Sequence, residues 1–360
     1  VAPPPILVHH RQAAGGHRRA VRTGRVRFDM SNNFRHPPLL GVNLLRSLAI
    51  RIARALGLAK TLFFHIARVH NDNGRMQSVF SGYEPCESDV FATVYSKSGT
   101  NWALQVIQQA SWRGEADFDH IHSVVAWPEA PFDSVVPLHD STVRDASPAG
   151  LRTVKTAFPS EYVPYSESAK YVCVLRDPKE VFVSNYLFMP PALGLAGVFS
   201  VDEWLDFFLS DGFVVGSWAA HAAGYWEWRD RPNVLLLEYR EVVQRPREAV
   251  RKVVDHIGIG PDLLTEDQFE EVVRKASFEY MKSQDDRFGP PINPLVGEGG
   301  TPVMVRRGQV GGSGELINEE QQARIDAWAI SELRRFGSDL PYDEMFASCN
   351  ASQPFDYFVR

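Results

Sequence analysis

Between residues 39 and 69 apolar positions recur at helical spacing, and beyond residue 85 the pattern changes to short apolar runs separated by helix-like segments. DVFATVYS (89–96) reads as a buried strand. TNWALQVIQQASW (100–112) reads as the helix after it, with Trp102, Val106 and Ala110 at i, i+4 and i+8. LRTVKT (151–156), KYVCVLR (170–176) and NVLLLEY (233–239) read as further strands. Pro178 suits the first turn of a helix over PKEVFVSNYLF, and helical patterns follow near 201–209, 214–230, 241–275 and 319–336. A Gly/Pro-rich loop, GPPINPLVGEGGTP (289–302), precedes the last of these. Strands alternating with helices predict an α/β fold: one domain over residues 80–348, with a central, mostly parallel β-sheet flanked by helices on both faces.

The helical stretch at 39–69 carries Arg46, Arg51, Arg54, Lys60 and Arg68. Those charges exclude a membrane span, which needs ~20 nearly unbroken apolar residues. A basic amphipathic helix over 39–72 suits peripheral contact with an anionic membrane. The plainer expectation is a helix packed on the domain with its arginines outward. Residues 1–38 show no periodicity and are expected to be unstructured. Met30 before SNNF resembles a start, which makes 1–29 an upstream extension, and no cleavable signal is evident. Residues 349–360 are expected to be a tail.

Composition adds limits. Hydrophobic content of 44% with 23% charged residues is that of a soluble globular protein. Three scattered cysteines, Cys86, Cys173 and Cys349, make neither a disulfide framework nor a zinc site, so a reducing, cytoplasmic setting is expected. No metal motif such as HExxH or paired CxxC is present. Residues 1–70 hold twelve Arg/Lys and one acid, +11, so with a net charge of −6 the rest of the chain sums to −17. An anionic body excludes nucleic acid as the main partner, and an anionic ligand must occupy a local cationic pocket.

Such a pocket is suggested by VFATVYSKSGTNW (90–102). A strand, then Lys-Ser-Gly-Thr, then a helix sets backbone amides and a lysine at a helix N-terminus, where an anion is favoured. A plain turn with an exposed lysine would not need Ser96, Lys97, Ser98, Thr100 and Asn101 together. The Walker pattern GxxxxGK[ST] is absent, which disfavours an ordinary ATPase or GTPase. Two further anion-reading segments follow: Arg176 with Ser184 in VLRDPKEVFVS, and the arginine pair of VRRGQVGG (305–312).

Together these segments resemble the cytosolic-type sulfotransferases that use 3′-phosphoadenosine 5′-phosphosulfate (PAPS). The family's YPKSGTTW is matched by YSKSGTNW (95–102) and its RNxKDxxVSxYxF by RDPKEVFVSNYLF (176–188). EYREV (238–242), ASFEYMK (276–282) and RRGQVGGS (306–313) match three later motifs, in order. The resemblance implies a P-loop-like domain that moves a sulfonate from PAPS, released as the bisphosphate PAP, to a hydroxyl or amine without a metal. It implies that Lys97 serves the leaving phosphate and that Ser98, Gly99, Thr100 and Asn101 cradle the 5′-phosphate. Trp102 and Phe278 would flank the adenine, Tyr239 and Ser277 hold the nucleoside, and Arg176, Ser184, Arg306, Arg307 and Gly308 bind the 3′-phosphate. Lys97, Lys155 and Ser184 are the implied catalytic set.

One departure bears on the chemistry. The family's KTHLP carries a proton-accepting histidine, and residues 155–159 here read KTAFP, with Ala157 at that position. His120, His122, His139 and Glu161 are the candidate replacements. An acidic acceptor such as a phenol, or nucleotide binding without efficient turnover, are the other readings; a P-loop kinase is a remoter one. GDW becomes Gly311-Gly312-Ser313, and the family's dimer segment is replaced by GELINEEQQAR (314–324), which leaves the oligomeric state open. Trp127, Phe158 and Phe188 are candidate lining residues for a small apolar or aromatic acceptor, and the basic segment keeps a lipid-like acceptor in view. As ordinary core residues the same aromatics would need no ligand.

Overall fold

The computed structural model describes residues 40–130, 136–289 and 304–347, with the side chains of 40–47 excepted. The expected extension at 1–38, the tail at 349–360 and nearly all of the 289–302 loop lie outside the described residues. In chain order the elements begin with α1 (Leu40–Ala55), α2 (Ala59–His70), α3 (Asn73–Ser78), β1 (Asp89–Thr93), α4 (Thr100–Ser111) and α5 (Thr142–Ala146). Then come β2 (Arg152–Thr156), β3 (Lys170–Leu175), α6 (Pro178–Ala192), α7 (Val201–Phe208), α8 (Trp218–Glu227) and β4 (Val234–Glu238). The last are α9 (Tyr239–Gln244), α10 (Pro246–His256), α11 (Glu266–Lys275), α12 (Phe278–Ser283) and α13 (Glu319–Arg335).

The four strands pair in the order β2-β1-β3-β4, all parallel. Their side chains alternate between two cores. Val90 and Ala92 of β1 and Val172 and Val174 of β3 pack with α4, α10 and α11 on one face. Phe91, Tyr171, Cys173 and Leu236 pack with α6, α7, α8 and α13 on the other. Both faces are therefore dry, which is why the strands read as unbroken apolar runs. The chain runs from β1 to one neighbour and then crosses back to the other, so the order reverses at β1. In open parallel sheets the crevice outside the carboxyl ends at such a reversal is where ligands bind.

Several boundaries differ from expectation for local reasons. The stretch at 39–69 is two helices, because Gly57 turns at φ +70 and closes α1. The pattern at 214–230 shortens to α8 because Gly216 takes φ +82 and Ser217 caps the next turn. The 241–275 stretch divides into α9, α10 and α11: Pro246 opens α10, Gly258 at φ +80 follows its end, and Thr265 starts α11 in a capping box with Gln268. β1 stops at Thr93, and by Tyr95, whose carbonyl accepts the Ser98 amide at 3.1 Å, the chain has entered the loop.

Candidate functional site

Parallel pairing brings the ends of all four strands to one edge of the sheet, and with them the loop after β1, the KTAFP turn after β2, Arg176 after β3 and Tyr239 after β4. Four segments far apart in sequence thereby share one crevice.

The loop is built on unusual backbone. Lys97 takes φ +67 and Gly99, the residue capping α4, takes φ +100. The conformation calls for glycine, and a Cβ on Gly99 would lie 3.2 Å from the Tyr239 ring, a tight contact. Ser98 is fully buried, and its hydroxyl has no hydrogen-bond partner among the described residues. A buried hydroxyl left so is costly unless a ligand completes it. Thr100 Oγ1 donates back to the loop carbonyls of Val94 and Tyr95, and Asn101 Nδ2 donates to Phe288 O at 3.0 Å.

Lys97 Nζ stands 3.9 Å above the Phe188 ring and 3.2 Å from Met304 Sδ. Burial pushes this ammonium down to about 7, with Arg176, Arg306 and Lys155 adding to the effect and Asp285 opposing it. Lys155 Nζ sits 3.4 Å from the Trp127 ring centroid and 3.1 Å from His122 Nε2. Burial also pushes it down to about 7, against the pull of Glu129. Two buried lysines thus stand near one another at the carboxyl ends of the strands, each depressed mainly by loss of solvent.

Arg176 braces the loop. It donates to the Lys97 carbonyl at 2.7 Å, lies 4.1 Å over the Tyr239 ring and pairs with Glu180 one helical turn away. Glu180 in turn accepts the amide of Gly311. Glu180, Ser184 and Phe188 follow at i, i+4 and i+8 along α6, so Ser184 lies on the face that meets Arg176 at one end and Lys97 at the other. Ser277 caps α12 by accepting the Tyr280 amide, and Phe278 packs so closely on Gly308 (φ +59) that a Cβ there would fall 2.3 Å from the ring. Arg306 and Arg307 both reach this edge but are held by Glu315, at 2.5 and 2.6 Å.

Of the aromatic candidates, Phe188 and Trp127 each lie against a site lysine. Phe158 and Trp102 are instead largely core: Phe158 belongs to one apolar cluster and Trp102, 9% exposed, to the other. The four candidate proton acceptors separate cleanly. His122 is at Lys155; His120 is bonded to Gly289 O; His139 packs on Tyr83; Glu161 is exposed.

Four acids that sequence reasoning did not single out hold this arrangement. Glu129 is buried and accepts from Thr156 Oγ1 (2.6 Å), the Ala157 amide (2.7 Å) and Trp127 Nε1 (3.0 Å), fixing the turn and the tryptophan together. Asp285 accepts the amides of Met304 and Val305 and so sets the returning segment beside Lys97. Glu180 and Glu315 hold the arginines. Only Glu180, four residues after Arg176, had a readable signal.

A family model described as a sulfotransferase domain matches residues 87–337. Human Sulfotransferase 1C2 is 25% identical over 258 residues, 69% of this chain and 84% of the relative. A 3-beta-hydroxysteroid sulfotransferase of Cavia porcellus is 25% identical over 229 residues, 62% of this chain and 76% of the relative. Among solved structures, retinol dehydratase in complex with androsterone and the inactive cofactor PAP superposes with a TM-score of 0.59 at 19% identity, covering 75% of this chain and 87% of that one. The structural likeness is one of fold.

Proposed function

The chain belongs to the sulfotransferase family and is an enzyme of sulfonate transfer, and we propose that it carries the sulfonate of PAPS in line to a hydroxyl or amine of a small apolar or aromatic acceptor. The observation that carries the donor half is Ser98, a buried hydroxyl without a partner at the N-terminus of α4, between a left-handed lysine and a left-handed glycine. A 5′-phosphate supplies what that cradle lacks, and the free amides and dipole of the helix add to it.

The donor, when bound, brings an activated sulfonate on a phosphate leaving group. The protein's contribution is placement and neutralisation of charge, as in loose phosphoryl transfer. Lys97, aimed across Phe188, meets the charge that collects on the leaving oxygen. Lys155, held against Trp127, faces the transferred group from the KTAFP turn. Arg176 keeps the loop in register through the Lys97 carbonyl, and Arg306 and Arg307 exchange Glu315 for the 3′-phosphate. With Ala157 unable to take a proton, His122 is the proton acceptor, directly or through Lys155, because its Nε2 is in hydrogen-bond reach of that lysine. Apolar walls at Phe188 and Trp127 favour an apolar acceptor, in keeping with a relative named for hydroxysteroids.

A second reading, nucleotide binding with little turnover, is favoured by Ala157 alone. Both readings need the donor site. Thermal unfolding with PAP and with ATP and Mg²⁺ tests it: PAP is expected to raise the midpoint and ATP to do little. The reverse order would return the chain to phosphoryl chemistry.

A further inference from the structure

Of the ten large apolar side chains exposed among the described residues, seven fall between Leu48 and Val69. Six of the seven do not scatter; Phe64 is set apart, against Phe63, Phe199 and Phe207. Leu48, Ile52 and Leu56 follow at i, i+4 and i+8 on α1, and Leu56 is 66% exposed. Leu58, which caps α2, and Ile66 and Val69 on it lie along one side of the helix. The two stripes run into the Gly57 turn from either side, through Leu56 and Leu58.

The pair of helices is nonetheless fixed to the body. Ala59, Phe63 and Ala67 of α2 are buried, Phe63 sits among Phe199, Trp204 and Phe207, and Arg54 donates to Gly194 O at 2.7 Å. α2 is thus apolar over more of its circumference than the domain covers. A helix packed only by its own domain would be polar on that remaining arc.

Charge decides the occupant. No Asp or Glu occurs from residue 30 to residue 71, while Arg51 and His65 border the stripes and Arg68 lies further round α2. Beyond residue 70 the chain sums to −17. A second copy meeting this patch through a two-fold axis would set cations against cations. A lipid leaflet with anionic headgroups takes both the apolar stripes and the cations, and it repels the rest of the molecule, which orients it. Among the described residues no helix is long and apolar enough to cross a membrane. We infer that α1 and α2 form a docking surface that lies on anionic bilayers, an interaction independent of the donor site.

The test is co-sedimentation of the full chain with vesicles of phosphatidylcholine alone and of phosphatidylcholine with phosphatidylglycerol. Binding is expected on the anionic vesicles, lost at high salt, and weakened roughly tenfold or more in partition coefficient by each of Ile52→Asp and Leu56→Asp. Arg51→Glu should weaken it while PAP still protects the variant against heat, which shows that the fold is intact. Absence of binding to either vesicle overturns the inference. So does equal, salt-independent binding to both, or light scattering that shows a dimer which Leu56→Asp dissociates.

Discussion

At the scale of single residues, protons on two buried lysines govern the site's charge. Lys97 and Lys155 are both held near 7, well below the ordinary 10.5 of a lysine, mainly by burial. Above that pH the ligand-free site has lost their charge, and binding an anion must draw the protons back. Affinity for PAP, which meets Lys97 but carries no sulfonate for Lys155, is therefore expected to fall as pH rises from about 7 to about 9, by up to about tenfold per pH unit. Calorimetric titration across that window measures it, and a flat profile would mean Lys97 is charged without the ligand. His122 gives a second outcome. His122→Gln should lower kcat by about 10²–10⁴-fold while PAP affinity holds, and Ala157→His in that background should recover part of the loss. Unchanged kcat in His122→Gln would place the proton elsewhere.

At the scale of elements, the sheet divides labour between its two ends. The carboxyl ends carry the site; the opposite end carries a buried clamp. Arg152, opening β2, reaches Asp89, opening β1, at 2.7 Å, and Tyr83 donates to the same carboxylate at 2.5 Å. Removing one partner strands a charge in the core, so Asp89→Asn is expected to cost about 3–5 kcal/mol of stability in denaturant unfolding. PAP affinity of the folded variant should be unchanged, because the clamp is a sheet's length from the crevice. A loss of less than about 1 kcal/mol would mean that water reaches the pair. The strands and the loop after β1 were legible because buried parallel strands are apolar throughout and the loop's chemistry is local in sequence. Helix ends were less so, since Gly57, Gly216 and Gly258 end or divide runs whose apolar spacing continues past them.

At the scale of the whole molecule, what could not be read was whatever depends on segments meeting. Glu129 and Lys155 are far apart in the chain and become neighbours only because the segment 127–130 crosses the end of β2. The choice of His122 over His120 was open for the same reason, as two residues of spacing do not say which ring faces the lysine. The charge asymmetry between residues 1–70 and the remainder was plain in the sequence; the exposed stripes that give it a use needed the packing of α2. On the proposed function the molecule binds a bisphosphorylated nucleotide and passes on one sulfonate. The most direct measurement is incubation with isotope-labelled PAPS and a panel of phenols, apolar alcohols and amines, read by mass. A labelled sulfonate on at least one acceptor, lost in Lys97→Ala, is the predicted result. Label on no member of the panel, with PAP itself failing to bind, would contradict the proposed function.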